Sequence, residues 1–416
     1  MKKTLIAVAA AAALTATSAF AEITFGAWLR VLGSPIASTG EEVVAGMENS
    51  WGWGARTARI NINGTTEDGK AGFVMGVYND FESGLGQGDD AYLWVKPVDT
   101  VKVSVGKFDS PTNGLRGDFC YGSWNWLRPF NWVRDGEGLT FDGIWRSGLM
   151  VEADPMEGLH AFAVIPMSSS YKSAEETYRN IQVGFGYTIE GVGKLKAQFI
   201  GDYGYTTKDS KTGDYYLDAS SGEIERKSVA YDKDQDKTTG QIGVAFDITA
   251  IENLYVTVGA RFGIADKDAS DYLKMEFSAG ASYQVSETMK FSVDGDYKQY
   301  QDKVLAGGDD SLFSVGAGVD FTVMDGLAAV ADVRYMSNNY GKKGDDGAIS
   351  FLVGVNKSVS SNGSLGIGFQ GATNGCGLVM NDGSGIQAGK SYTLGKDGGD
   401  GDEFVWAIPV SVSVWF

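Results

Sequence analysis

The sequence predicts an all-β chain: one closed antiparallel barrel of about 18 strands that crosses a membrane. Three observations predict it. Segments with period-2 alternation fill the chain from Ile23 to Phe416. Short turns and long polar loops separate them alternately. The final segment sets Trp406, Ile408, Val410, Val412, Val414 and Phe416 on one face, with Ser411 and Ser413 on the other. An apolar-out, polar-in strand with a terminal aromatic is what the closing strand of a barrel in lipid needs. A sandwich strand is the alternative on those residues alone.

The chain starts with an address. Lys2 and Lys3 form a basic region, Leu5 to Leu14 an apolar run, and Ala19-Phe20-Ala21 a small-residue cleavage site. Residues 1–21 are therefore expected to be a cleaved secretory signal peptide, and residues 22–416 a single barrel domain. The apolar run is too short for a mature transmembrane helix, and no later segment approaches the roughly 20 apolar residues one requires. A chain of 416 residues would normally divide into soluble domains, yet no linker or composition shift marks a boundary. A closed barrel accounts for the length, because closure removes sheet edges and needs no second core.

The net charge of −18 disfavours nucleic acid, whose phosphates demand a basic face. One histidine, His160, and two distant cysteines, Cys120 and Cys376, cannot make a zinc site of the usual kind.

In chain order the expected strands are Ile23–Leu32, Ala55–Asn63, Gly72–Asp80, Ala91–Val98, Val101–Phe108 and Leu139–Ala153. Leu159–Ile165, Asn180–Thr188, Lys194–Tyr203, Gly240–Ile248, Asn253–Gly263 and Lys274–Val285 follow. Met289–Gln299, Leu312–Val323, Leu327–Met336, Ile349–Asn356, Leu365–Gly371 and Phe404–Phe416 complete the set. The count carries a margin of two, with 16 allowed, because Leu139–Ala153 is long enough to hide a bend at Ser147-Gly148. The alternation is specific. Met289, Phe291, Val293 and Tyr297 oppose Lys290, Ser292, Asp294 and Asp296, while Leu195, Ala197 and Phe199 oppose Lys194, Lys196 and Gln198. So charged a face would leave ions unpaired in a dry sandwich. A water-filled lumen tolerates it, and the apolar face then meets lipid.

Loop lengths alternate too. Short turns include Gly64–Lys70, Val98–Thr100, Asp154–Gly158 and Met324–Gly326; long loops include Gly33–Trp53, Phe81–Asp90, Asp109–Gly138, Pro166–Arg179, Gly204–Thr239 and Ala372–Glu403. Trp28, Trp94, Tyr187, Tyr283, Tyr335 and Trp406 lie near strand ends and are expected in the interfacial aromatic girdles.

On these features (leader, alternating strands, terminal Phe416 and a long third loop) the chain resembles the bacterial outer-membrane porin superfamily over its expected mature length. The resemblance implies an outer-membrane channel for small hydrophilic solutes or ions, a homotrimer, and a third loop folded into the lumen. That loop, Asp109–Gly138, is rich in aromatics, among them Tyr121, Trp124, Trp126 and Trp132, which a loop in water seldom carries unless packed. It also carries Asp109, Arg116, Asp118, Arg128 and Arg134. Arginine stays charged at any working pH, and opposed charge across a constriction sorts ions. Arg30, Arg59 and Lys102, on early strands near the loop's root, are the expected wall partners. Further lumen charges are expected at Arg261, Lys290 and Arg334, and at Asp202, Asp247, Glu276, Asp294, Asp320 and Asp332.

Tyr121 and the three loop tryptophans either anchor the loop to the wall or stack on sugar faces, which leaves a sugar-selective channel as an alternative. A plugged structural or adhesive surface barrel is another. Cys120 and Cys376 sit in two expected extracellular loops, either bridged or as two free thiols. The stretches Asp232–Asp236 and Asp397–Glu403 place alternate carboxylates that could weakly bind calcium, although a solvated acidic loop explains them as well. No cofactor is expected beyond that. His160 is the sole candidate base and no nucleophile, phosphate-loop or zinc-protease motif occurs, so catalysis is not expected.

Overall fold

Each period-2 segment forms a strand, and each barrel strand pairs antiparallel with its neighbours in sequence. The computed structural model describes residues 22–38, 43–44, 58–80, 84–110, 144–167, 174–201, 215–217, 224–226, 239–265, 273–301, 310–337, 347–373 and 404–416. The wall begins with β1 (Glu22–Ser38), β2 (Ala58–Thr65), β3 (Ala71–Asp80), β4 (Gly84–Val98), β5 (Val101–Ser110) and β6 (Ile144–Met156). It continues through β7 (Leu159–Pro166), β8 (Gln182–Ile189), β9 (Gly193–Gly201), β10 (Thr239–Ile248), β11 (Leu254–Ala265) and β12 (Leu273–Ser286). It ends with β13 (Met289–Tyr300), β14 (Ser311–Met324), β15 (Leu327–Met336), β16 (Ala348–Ser360), β17 (Gly363–Ala372) and β18 (Val405–Trp415). The strand β1 pairs with β2 on one side and β18 on the other, in register Trp28 to Trp415, so the sheet closes. At the seam the Ala27 amide donates to the Phe416 carbonyl at 3.1 Å and the Phe416 amide to Ala27 at 2.7 Å.

The two-residue strand Val43–Val44 pairs with the end of β1, so the main sheet of 19 strands has 18 in its wall. No bend divides the segment at Ser147-Gly148: β6 runs through both residues. Tight turns join strands at one end of the barrel. Gly69, Gly158, Gly191 and Gly326 hold φ between 66° and 78° in four of these turns, the left-handed region that glycine enters without a Cβ penalty. In the first turn the Thr66 hydroxyl and the Lys70 amide donate to Asp68, holding its carboxyl below the ordinary range.

Burial is inverted relative to a water-soluble fold. On β13 Phe291 and Val293 are 46% and 53% exposed, while Ser292 and Asp294 between them are 2% and 4% exposed. The same holds on β18, where Ser411 and Ser413 are buried and Val412 is exposed. The outer face is the one fit for lipid. Near the long-loop end, Phe351, Phe404, Phe369 and Trp406 form an outer aromatic cluster with ring centroids 5.9–6.1 Å apart, which is girdle geometry.

Four expectations are corrected. First, the loop expected at Phe81–Asp90 gives way to strand from Gly84, because the backbone there pairs with β3 although glycine and aspartate blur its hydropathy. Second, β1 continues to Ser38 into the loop expected from Gly33, through an irregularity between Gly33 and Ile36 that restores pairing with β18. Third, Trp28 and Trp94 face inward rather than joining a girdle. Trp28 stands in register with Arg59 and Trp94 with the buried Ser104, and cross-strand partners share a face. Fourth, Asp109, expected in the third loop, stands in β5 opposite Trp145. Within the stretches read as loops the chain also forms a six-residue helix, α1 (Ala174–Arg179), and a small hairpin of Tyr215–Leu217 with Ile224–Arg226.

Candidate functional site: the barrel interior

Alternation turns one residue in two toward the interior, and register decides which inward groups meet. Three sectors stand out on the described interior of β1–β15. The first, on β1–β7, is aromatic. The Trp28 and Tyr78 rings lie 6.1 Å apart, and Tyr92 packs at 5.3 Å on Phe108. Phe108 joins Met150, Phe162 and Val164 in a buried apolar cluster on β5, β6 and β7. Two expected wall cations lie in this sector, each with a carboxylate. Arg59 bonds the Tyr78 hydroxyl at 3.0 Å and Asp90 at 3.3 Å; Lys102 pairs with Glu152 at 2.9 Å. Asp90 and Glu152 were not singled out by sequence reasoning. Their even-numbered parity with Tyr92 and Met150 is the signal that could have found them.

The second sector, on β9–β15, is ionic. Lys196 reaches Asp247 at 2.6 Å, and the Thr257 hydroxyl donates to the same carboxylate at 2.8 Å. Arg261 donates through Nε to Glu276 at 2.8 Å, and Lys298 lies 3.5 Å from that carboxylate. Arg334 on β15 reaches Asp294 on β13 at 2.5 Å by crossing the intervening β14. It crosses at Gly316, where a Cβ would lie 2.2 Å from the guanidinium. Gly76 gives Arg59 similar room on β3. Buried pairs of this kind are held by mutual neutralisation, and removing one partner strands the other.

The third is a neutral patch on β8–β10, beside the Lys196–Asp247 pair. Gln182, Gln198 and Gln241 face inward there, and the Phe162 ring lies over Gly184, the cross-strand partner of Gln198. His160, the only histidine of the chain, lies at the turn end of β7 with its Nδ1 2.8 Å from Asp154 and Nε2 4.0 Å from Glu152.

Among the expected site residues, Arg59 and Lys102 therefore face the interior, though in separate ion pairs. Arg261, Lys290, Arg334, Asp247, Glu276, Asp294, Asp320 and Asp332 lie on the inward face of their strands by register with one another and with the buried positions. Arg30 and Asp109 stand in β1 and β5 by backbone, and their side chains are not described. Arg116, Asp118, Cys120, Tyr121, Trp124, Trp126, Arg128, Trp132, Arg134, Asp202 and Cys376 lie outside the described residues, as do both acidic stretches and the leader. Among the described residues no group of three or more His, Cys, Asp or Glu is placed to hold a metal ion.

Residues 185–362 match the family model of the porin subfamily. No curated protein sequence matches the chain. Among solved structures the chain is similar to an anion-selective porin from Comamonas acidovorans, at 15% identity over 95% of this chain and 99% of that one, with a TM-score of 0.48. It is similar to the outer-membrane protein OmpT of Vibrio cholerae in its trimer form, at 12% identity over 95% and 99% of the two chains, with a TM-score of 0.44. A mutant porin of Rh. blastica is similar at 15% identity over 95% and 100%, with a TM-score of 0.44.

Proposed function

With porin sequence built into a barrel of the outer membrane as the premise, we propose that the interior is a water-filled channel for passive diffusion of small hydrophilic solutes and ions. The observation that carries this reading is the inverted burial: polar and charged side chains line the inside of a closed wall whose outside is apolar. A wall with ion pairs on its inner face suits solutes that keep their hydration.

In the same reading residues 109–138 narrow the lumen, with Arg116, Asp118, Arg128 and Arg134 facing the wall. The support is the apolar cluster of Phe108, Met150, Phe162 and Val164, which lies inward on β5 and on the two strands that follow the loop. An aromatic-rich loop has a surface there to cover. The chain acts as a homotrimer, supported by the small residues Ala279, Ala281 and Ala331 on the outer face of β12 and β15, which permit close barrel-to-barrel contact. No catalytic role is assigned to the wall.

A sugar-selective channel is favoured as the second reading by one observation, the two inward aromatic pairs Trp28–Tyr78 and Tyr92–Phe108. Ring faces guide sugars that ions would ignore. Single-channel recording in planar bilayers, with a KCl gradient, tests the pair. Discrete steps are expected from the refolded protein. Steps interrupted by added oligosaccharide select the sugar channel. No steps from a folded barrel would overturn both and leave a plugged structural or adhesive role.

A further inference from the structure

At the turn end of the barrel, titratable side chains of three strands form one line of contacts that reaches water. Lys102 on β5 lies 2.9 Å from Glu152 on β6, and Glu152 lies 4.0 Å from Nε2 of His160 on β7. The His160 Nδ1 lies 2.8 Å from Asp154, near the end of β6. His160 shares the inward parity of the buried Phe162 and Val164, so its ring stands at the rim of the lumen. Its side chain is 39% exposed and that of Asp154 66%, so both meet the solution at this mouth. The turn between them adds one further carboxylate, the exposed Glu157. On the other flank β8 presents Gly186 opposite His160 and carries no charged side chain, and its Tyr187 faces outward with Phe185. The next charge along that row is Lys196 on β9, which Asp247 holds.

The contacts do not balance. Lys102 neutralises Glu152, while among the described residues Asp154 has no lysine or arginine partner. A carboxylate only accepts, so the proton of the neutral imidazole sits on Nδ1 toward Asp154 and the Nε2 lone pair turns to Glu152. Proton uptake at Nε2 makes that edge a donor and places a cation between two carboxylates. We propose that His160 sets the ion preference of this mouth. Neutral, it leaves Asp154 as an uncompensated anion that draws cations in; protonated, it cancels that charge. Histidine is the side chain whose ordinary charge change falls between pH 5 and 8, and the chain has one. A charge at the rim acts within about one screening length, roughly 10 Å in 0.1 M salt, and so on every ion that enters there.

The proposal rests on the channel reading, and the test separates the two. Reversal potentials of single channels are recorded across a KCl gradient centred on about 0.1 M, at pH 8 and at pH 5. The wild type, His160→Gln and Asp154→Asn are compared, each shown to be folded by its heat-dependent shift on a gel. Both side chains are open to water, so folding is expected to survive. The wild-type preference for cations is expected to fall roughly twofold from pH 8 to pH 5, and only when the compartment at one end of the channel is acidified. His160→Gln is expected to keep its pH 8 preference at pH 5. Asp154→Asn at pH 8 is expected to match the wild type at pH 5, since both lack the uncompensated anion. These differences are expected to shrink in about 1 M KCl, where the screening length is about 3 Å. A wild type insensitive to pH overturns the role of His160 and leaves the channel. A response that His160→Gln retains, or that follows acidification of either compartment alike, does the same. Folded protein without conductance overturns the channel, and the role of His160 with it.

Discussion

At the scale of single residues the wall works by reach and by room to reach. Asp294 is buried, and Arg334 two strands away is its partner at 2.5 Å. Replacing Arg334 by Ala is expected to cost about 3–5 kcal/mol in urea unfolding, because it strands a buried carboxylate. Gly316→Ala is expected to destabilise by less, since the new Cβ would push aside only the flexible end of Arg334. The double variant should then be no worse than Arg334→Ala alone, a coupling of at least about 1 kcal/mol. Full additivity would disprove the bridging role of Gly316. Alternation alone shows Arg334 and Asp294 to be inward. It does not show that they meet, because that depends on the register of three strands, and no single segment states it. Trp28 and Trp94 mislead for a related reason. An aromatic near a strand end is typical of a girdle, and only its parity with inward neighbours reveals the other face.

At the scale of the element, the face of a strand decides what a substitution costs. Val293, outward near the middle of β13, is expected to cost about 2–4 kcal/mol when replaced by Arg, whereas Lys290→Gln on the inward face should cost less and instead shift the reversal potential in a salt gradient. Liposome unfolding measurements and bilayer recordings on the two variants check this. Equal destabilisation would contradict the assigned faces. Strands with strong alternation, such as β13 and β14, are legible in the sequence nearly to their ends. The start of β4 is not. Gly84-Leu85-Gly86-Gln87-Gly88-Asp89-Asp90 offers few side chains to alternate, and its strand state comes from pairing with β3. The short turns are legible because glycine marks the left-handed positions they need.

For the whole molecule, closure is the governing feature. Deleting residues 405–416 removes β18 and leaves β1 and β17 each with an unpaired edge. The truncated chain is expected to show no heat-modifiable band on a gel and to aggregate on refolding; a shifted band like the wild type's would show that closure is dispensable. The interior as a site was readable only in part. Parity fixed which charges face inward. The division into aromatic, neutral and ionic sectors arises from how rows of residues line up around the circumference, which is a property of the ring.

The seam between β1 and β18 also sets a clock. Every other hydrogen-bonded strand pair in the wall joins neighbours in sequence and is free to form as the chain emerges. The seam alone joins the first strand to the last, with Ala27 waiting for Phe416. Until that bond forms, two strand edges stay open to any other chain that drifts past. Slower closure is therefore expected to lower the yield of refolded protein even where the shut ring is equally stable.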